Sequence, residues 1–359
     1  MNENNLVILR VNGREWGGWT ALSISAGVER IARDFNVTIT RQWPGADDKA
    51  ELQPRVKYGD AVEVSIENDL VLTGYVDATP VRYDASGISV GIVGRSKTAD
   101  LIDCSAAPTQ FTGRTLVQIA TQLAAPFGVG VIDAGVESGA MLGLQADHGE
   151  TVMDVLNKMI GLKQVLAYDN EKGQLVVGPT GAEHTVTALV LGQNILSCDT
   201  ERSIRDRFSQ YDVAGQRAGN NDDFGAATTS AIRAQTVDAG VKRYRPLIIK
   251  QTGNATGQTC KDRSEFEMYR RAARTDEVTY TVQGWRQGDG SLWKSNQTVV
   301  VYDPVLGFNN REMLIAEVTY KQDDTGTTTE IRVGPPEAYL PKAKAIKSSR
   351  RKKTDDEDF

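Results

Sequence analysis

Leu70-Val71-Leu72-Thr73-Gly74-Tyr75-Val76 is followed by a turn at Asp84-Ala85-Ser86-Gly87 and a β-rich run ending at Gly94. The same order returns late in the chain. Met313-Leu314-Ile315-Ala316-Glu317-Val318-Thr319 leads to a turn at Asp323-Asp324-Thr325-Gly326 and a run ending at Gly334. A second pair stands upstream of each. Glu29-Arg30, Arg33-Asp34 and Phe35 match Glu201-Arg202, Arg205-Asp206 and Phe208. The chain therefore reads as one small β domain used twice, with extra material inserted in the second copy. Duplicated units tend to arrange themselves about pseudo-symmetry axes, which is the habit of a building block more than of an enzyme.

Working outward from these repeats, residues 1–100 read as strands and turns. Asn12-Gly13 is a two-residue hairpin signal. Phe35, Val37 and Ile39 alternate with polar residues, as do Val62, Val64 and Ile66, the period of a half-buried strand. Asn68-Asp69 turns the chain into Leu70. Residues 101–182 change character. Leu116, Ile119, Ala120 and Leu123 share a helical face that Pro126 and Gly128 stop. Val152 to Ile160 predicts a second amphipathic helix, capped by Thr151 with Asp154 three residues on. Tyr168 to Val177 predicts strand, turn, strand.

The expected fold class is β-rich α+β, with two similar small antiparallel β barrels, an α+β domain and an inserted segment. The first barrel is assigned to 1–100 and the α+β domain to 101–182. The second barrel is split between 192–217 and 291–335. The insertion takes 218–290, with a polar loop over 218–240, a helix from Asp262 to Arg274 and a strand at Val278–Val282. The tail, 336–359, carries Lys342 to Lys353 ahead of Asp355-Asp356-Glu357-Asp358 and is expected to be disordered.

A chain of 359 residues is too long for one ordinary core and points to about two to four domains. Its 40% hydrophobic and 25% charged content is that of a folded, soluble class. No stretch approaches the ~20 apolar residues that span a bilayer, and Met1 to Asn5 has neither a basic region nor an apolar signal core. Cytoplasmic folding is expected. Cys104, Cys198 and Cys260 are widely spaced and are expected as buried free thiols. The net charge of −6 argues against gripping nucleic acid, which needs a basic face.

Catalytic signatures are missing. His148 and His184 are the only histidines, and neither lies in a metal-ligand spacing. Gly94-Arg95-Ser96-Lys97-Thr98 lacks the spacing of a phosphate loop. No cofactor is expected and no metal. Trp16, Trp19 and Trp43 sit near turns, where aromatics either complete a core or meet a ligand or partner. The residues singled out for a role are Glu29, Arg30, Arg33, Asp34, Glu201, Arg202, Arg205 and Asp206. They form either intramolecular ion pairs at a barrel edge or a subunit contact in which bidentate arginines fix register.

Gly59-Asp60-Ala61-Val62-Glu63-Val64, Gly74-Tyr75-Val76-Asp77, the run Gly94 to Cys104, Trp293 to Val301 and Asp303-Pro304-Val305-Leu306-Gly307 together resemble the baseplate hub proteins of Mu-like contractile-tailed phages. The T4-type hub and the base of type VI secretion spikes are more distant relatives. The resemblance runs to about Pro341. It implies a homotrimer whose six barrels ring an axial channel. Such a hub joins a sixfold tail tube to a threefold membrane-piercing spike and lets DNA pass without specific binding. Its implied partners are the tail spike, the tail tube and other baseplate proteins, with no stable membrane insertion. Its place is the virion tail baseplate, after assembly in the host cytoplasm. Two other classes stay open on residues alone: a tail-associated cell-wall hydrolase and a carbohydrate-binding module.

Overall fold

The computed structural model describes residues 7–41, 56–85, 87–136, 139, 144–163, 165–179, 181, 183–216 and 232–339. Trp43, the polar stretch 218–231 and residues 340–359 of the charged tail lie outside the described residues. The first residues of that tail, expected to be disordered, are ordered instead: Pro336–Ala338 form a short 3-10 turn, and Ala338 and Tyr339 are buried.

The first segment holds β1 (Val7–Val11), β2 (Arg14–Trp16), β3 (Ala21–Gly27) and β4 (Asp34–Arg41). It continues with β5 (Ala61–Ile66), β6 (Asp69–Ala78), β7 (Val81–Tyr83) and β8 (Ile88–Ser96). Next come α1 (Ala99–Asp103), β9 (Thr109–Phe111), α2 (Leu116–Ala124), β10 (Val131–Asp133) and β11 (Leu144–Ala146). Then follow α3 (Val152–Lys163), β12 (Leu166–Asp169) and β13 (Leu175–Gly178). The chain goes on through β14 (Glu183–His184), β15 (Leu189–Val190), β16 (Ile195–Asp199), β17 (Gln210–Gln216), β18 (Arg233–Val237) and β19 (Pro246–Asn254). It closes with α4 (Gly257–Arg274), β20 (Val278–Gln283), β21 (Gln297–Asp303), β22 (Phe308–Asp323) and β23 (Gly326–Gly334).

Local chemistry explains the boundaries. Asn12 and Gly13 both take positive φ and close the β1–β2 hairpin with Val11 opposite Arg14. Thr151 and Asp154 exchange side-chain-to-backbone hydrogen bonds of 3.0 and 3.1 Å, the reciprocal cap that starts α3. α4 begins at Gly257 rather than at Asp262, because Thr256 and Thr259 form the same kind of cap. A threonine in the third position carries no sequence signature of that cap. The turn before β6 falls at Glu67, which takes φ 55°.

The duplication is legible in the strand order. One fifteen-stranded sheet contains β5-β6-β8-β4-β3 and also β21-β22-β23-β20-β16, every neighbour antiparallel. Position for position these are the same order. Each long hairpin also carries the same irregularity, between Val76 and Ala78 on β6 and between Ile315 and Glu317 on β22. The tips at Asp84–Gly87 and Asp323–Gly326 correspond as expected. The strands leading to them do not align as the sequence did: Tyr75–Ala78 is the counterpart of Leu314–Glu317.

The two units share one core, which runs from Leu9, Ile24 and Phe35 to Trp285, Trp293 and Ile331. β22 makes the junction, pairing with β3 from Glu317–Gly27 to Gln322–Leu22. The strand pairings form an open path, and no closed barrel is found among the described residues. A separate core packs α2 and α3 over β12 and β13.

The inserted material differs from its expected limits. β17, expected in the second β unit, pairs with β18 and β19 in a sheet of its own. β18 lies in the stretch expected as loop. β20, expected in the insertion, stands between β16 and β23. The insertion is thus an expansion of the β16–β20 connection, whose counterpart in the first unit is the short β3–β4 connection. Composition marked where the chain turned polar, not where strands paired. Trp19 is a core residue whose indole N–H donates to the Val7 carbonyl, and Trp16 packs against the same core. Of the three cysteines expected to be buried, Cys260 is buried, Cys104 is half-buried, and Cys198 is exposed because neither face of β16 is covered from Leu196 to Asp199.

Candidate functional site

Glu29, Arg30 and Arg33 occupy the β3–β4 connection and Asp34 opens β4. The structure ties Glu29, Arg30 and Arg33 to distant parts of the same chain and Asp34 to its neighbour Arg30. Glu29 meets Arg270 at 3.1 Å, Arg332 at 3.7 Å and, at very short range, Arg274. Arg30 pairs with Asp34 at 2.6 Å and with Glu317 at 3.1 Å. Arg332 extends the network to Glu317 and Glu277, and Glu277 accepts the Tyr339 hydroxyl at 2.5 Å. Carboxylates and guanidinia therefore alternate across the β3–β4 connection, α4, β22 and β23.

Arg33 does something different. Its Nε lies 3.2 Å from Asp169 Oδ1 and its backbone N–H donates to Oδ2, while its two terminal nitrogens donate to the Asp169 and Val71 carbonyls. Asp169 is 2% exposed. Burial pushes its carboxyl up, and the Arg33 guanidinium pulls against that push. This pair docks β12 of the α+β domain onto the first β unit. Thr73 adds a bond to the Glu171 carbonyl at 2.9 Å. Burial likewise raises Asp34, opposed by Arg30.

In the second copy, Arg202 meets Asp276 at 2.9 Å and lies 5.5 Å over the Phe308 ring. Arg311 holds the other Asp276 oxygen at 2.8 Å. Burial alone would raise Asp276, but hydrogen bonds and charge from Arg311 and Arg202 hold it below the usual carboxylate range. Arg205 and Asp206 act through their carbonyls, which accept from Arg245 and Arg271. Glu201, Arg205 and Asp206 line a cleft of about 370 Å³ beside Arg270, Arg271 and Arg274 of α4. Both copies of the motif thus border α4 from different sides, and they are not register equivalents. Ser23 and Asp199 hold matching places on β3 and β16, which sets Glu201 beside the position of Ser25.

The partners Asp169, Glu277, Glu317 and Arg332 were not singled out by sequence, since pairs this far apart in the chain leave no spacing signal. Arg286, which bridges Glu67 at 2.9 Å and Asp69 at 2.8 Å, was missed for the same reason. His184 is exposed, with Thr298 Oγ1 at 2.6 Å. Among the described residues no cluster of histidine, cysteine and carboxylates could hold a metal ion. No helix among them is long and apolar enough to cross a membrane. What these charges can do is fix the relative placement of β units, α4 and the α+β domain.

Family profiles match along the chain. The description "Mu phage baseplate assembly protein GpP-like, N-terminal" covers residues 6–96, and "Baseplate hub protein gp44-like, second domain" covers 98–179. "Tail protein NMB1110-like, third domain" covers 207–265, and "Mu phage baseplate assembly protein GpP, fourth domain" covers 256–342. The chain is 33% identical to the baseplate hub protein gp44 of Escherichia phage Mu, over 97% of this chain and 92% of that protein. The 43 kDa tail protein of prophage MuSo2 from Shewanella oneidensis superposes with a TM-score of 0.83 at 32% identity, covering 93% of this chain and 99% of that one. A tail protein from Neisseria meningitidis shares the fold, with a TM-score of 0.81 at 23% identity over 95% and 99% of the two chains. So does the Escherichia coli c3393 protein, a type VI secretion component described as similar to T4 tail proteins gp27 and gp5. Its TM-score is 0.54 at 9% identity, over 91% of this chain and 76% of that one.

Proposed function

The chain belongs to the baseplate hub proteins of Mu-like phages, and from that premise we propose that it forms the trimeric hub of a contractile tail. Its relatives are named as baseplate hub and tail proteins. The observation that carries the reading is the repeated strand order, β5-β6-β8-β4-β3 and β21-β22-β23-β20-β16. Two like units per chain turn a threefold assembly into a ring of six near-equivalent lobes. Such a ring meets a sixfold tube on one face and a threefold spike on the other. Each unit with its flanking strands would serve as one barrel-like lobe around an axial passage for the genome.

The role is mechanical and needs no turnover. The partners are two further copies of the chain, a spike and the tube, with other baseplate proteins around them. The hub assembles in the host cytoplasm and ends in the virion tail. An acidic chain suits a passage that must not retain DNA, since phosphate and carboxylate repel. The ion pairs of Glu29, Arg30, Arg33 and Asp34 hold the lobes in place within one chain, while Glu201, Arg205 and Asp206 offer charge to a neighbour.

Light-scattering mass followed by end-on electron microscopy tests this. A trimer with six lobes around a hole is expected. A stable monomer at all concentrations, alone or mixed with spike protein, would overturn it.

A further inference from the structure

Each five-strand unit ends on a strand that could accept one more neighbour: β3 in the first, β16 in the second. The outer edge of β3 is taken, because β22 pairs along it. Among the described residues β16 pairs with β20 and otherwise makes only an isolated bridge at its first residue, Ile195 to Leu191, which leaves the edge at Asp199 open. Burial follows this difference. β3 is buried or half-buried along its length, whereas Leu196 to Asp199 of β16 are exposed. Leu196 is 57% exposed. A strand edge with open N–H and C=O groups is a template for another strand.

The repeat identifies the strand that fits. β22 reaches β3 with the part that follows its irregularity at Ala316. The counterpart of that part in the first unit is the run from Ala78 through β7. Among the described residues β7 pairs with β8 alone, and Val81 is 50% exposed. Pro80 does not block the open edge. Its carbonyl accepts from the Gly91 N–H at 2.8 Å, so its missing N–H also faces β8. The next residue, Val81, therefore turns its N–H outward.

We infer that the β7 edge of one copy pairs antiparallel with the β16 edge of the next, repeating between chains the β22–β3 junction made within each. The occupant of the edge is a second copy of this chain, because the chain already shows this contact between its own halves. Carrying over the internal register sets Arg82 opposite Asp199 and Val81 opposite Thr200. In the internal junction these are the places of Lys321–Ser23 and Tyr320–Ile24. Tyr320 and Ile24 are buried, so Val81 and Thr200 face the shared core while Arg82 and Asp199 pair on the outer face. Two different edges meet, so the contact is head-to-tail and generates a closed ring or an open filament. That the ring closes at three copies rests on the trimeric reading above.

The test is a disulfide at the expected register. Arg82→Cys and Asp199→Cys are combined in a Cys198→Ser background, since directly opposed strand positions bring Cβ atoms within disulfide reach. Oxidation should join the copies covalently, and neither single cysteine variant should do so. A second variant, Val81→Pro, removes the outward N–H without touching the β7–β8 ladder. It should raise the concentration for half-assembly by roughly tenfold or more with an unchanged far-ultraviolet dichroism spectrum. A wild-type trimer whose double variant fails to cross-link, or whose Val81→Pro form assembles normally, refutes the edge pairing and leaves the trimer standing. A monomeric wild type that never cross-links overturns both.

Discussion

Arg33 shows what one residue can carry. Its guanidinium satisfies a carboxylate that water does not reach and two carbonyls besides. Removing one partner of a buried pair leaves the other charge uncompensated, which costs about 3–5 kcal/mol. Arg33→Ala is therefore expected to lower the urea-unfolding free energy by that order, and a loss under about 1 kcal/mol would show that the pair does not anchor the domain. Asp276 gives the matching statement about pH. Its folded pKa lies below its unfolded one, so the stabilisation is complete above about pH 4 and fades as pH falls through the folded value. Asp276→Asn should flatten the acid limb of a stability-versus-pH curve. An acid limb identical to wild type would assign it to other carboxylates. The sequence singled out Arg33 and Arg202 by repetition, but not Asp169 or Asp276. Ion-pair partners are chosen by the fold, and no spacing announces them.

At the scale of elements, the strands and helices were largely legible because their periods differ and their caps are local. The alternation of Val62, Val64 and Ile66 and the Thr151–Asp154 cap are both present as read. Thr151→Ala should cost α3 about 1 kcal/mol in thermal or urea unfolding, and no change would mean that tertiary packing alone starts the helix. Register was not legible. A slip by an even number of residues keeps every side chain on its face, so the hydrophobic pattern cannot distinguish Tyr75 from Val71 as the partner of Leu314. The irregularities on β6 and β22 decide it. Gly74 marks where the first unit is tighter than the second: a Cβ there would sit 1.9 Å from the Arg95 carbonyl oxygen. Its counterpart, Met313, carries a full side chain. Gly74→Ala should therefore destabilise by about 1–3 kcal/mol, whereas an unchanged midpoint would mean that β6 and β8 part without cost.

For the whole molecule, the sequence showed two copies but not that they are one body. Separate barrels would each close on themselves. Instead β22 pairs with β21, β23 and β3, and a single core runs from Leu9 to Ile331. Arg286 adds a strap from the second unit to Glu67 and Asp69 of the first. A continuous sheet and a continuous core couple the two units energetically, so neither can lose its inner face without exposing the other's. Hydrogen exchange under mild denaturant should therefore show β4 and β20 opening together, with the same free energy and the same denaturant dependence. Ile24→Ala, in β3 at the junction, should speed exchange in both strands equally. Exchange that accelerates in β4 while β20 stays protected would make the junction a hinge between independent units, and the lobes of a hub would then be free to move against one another.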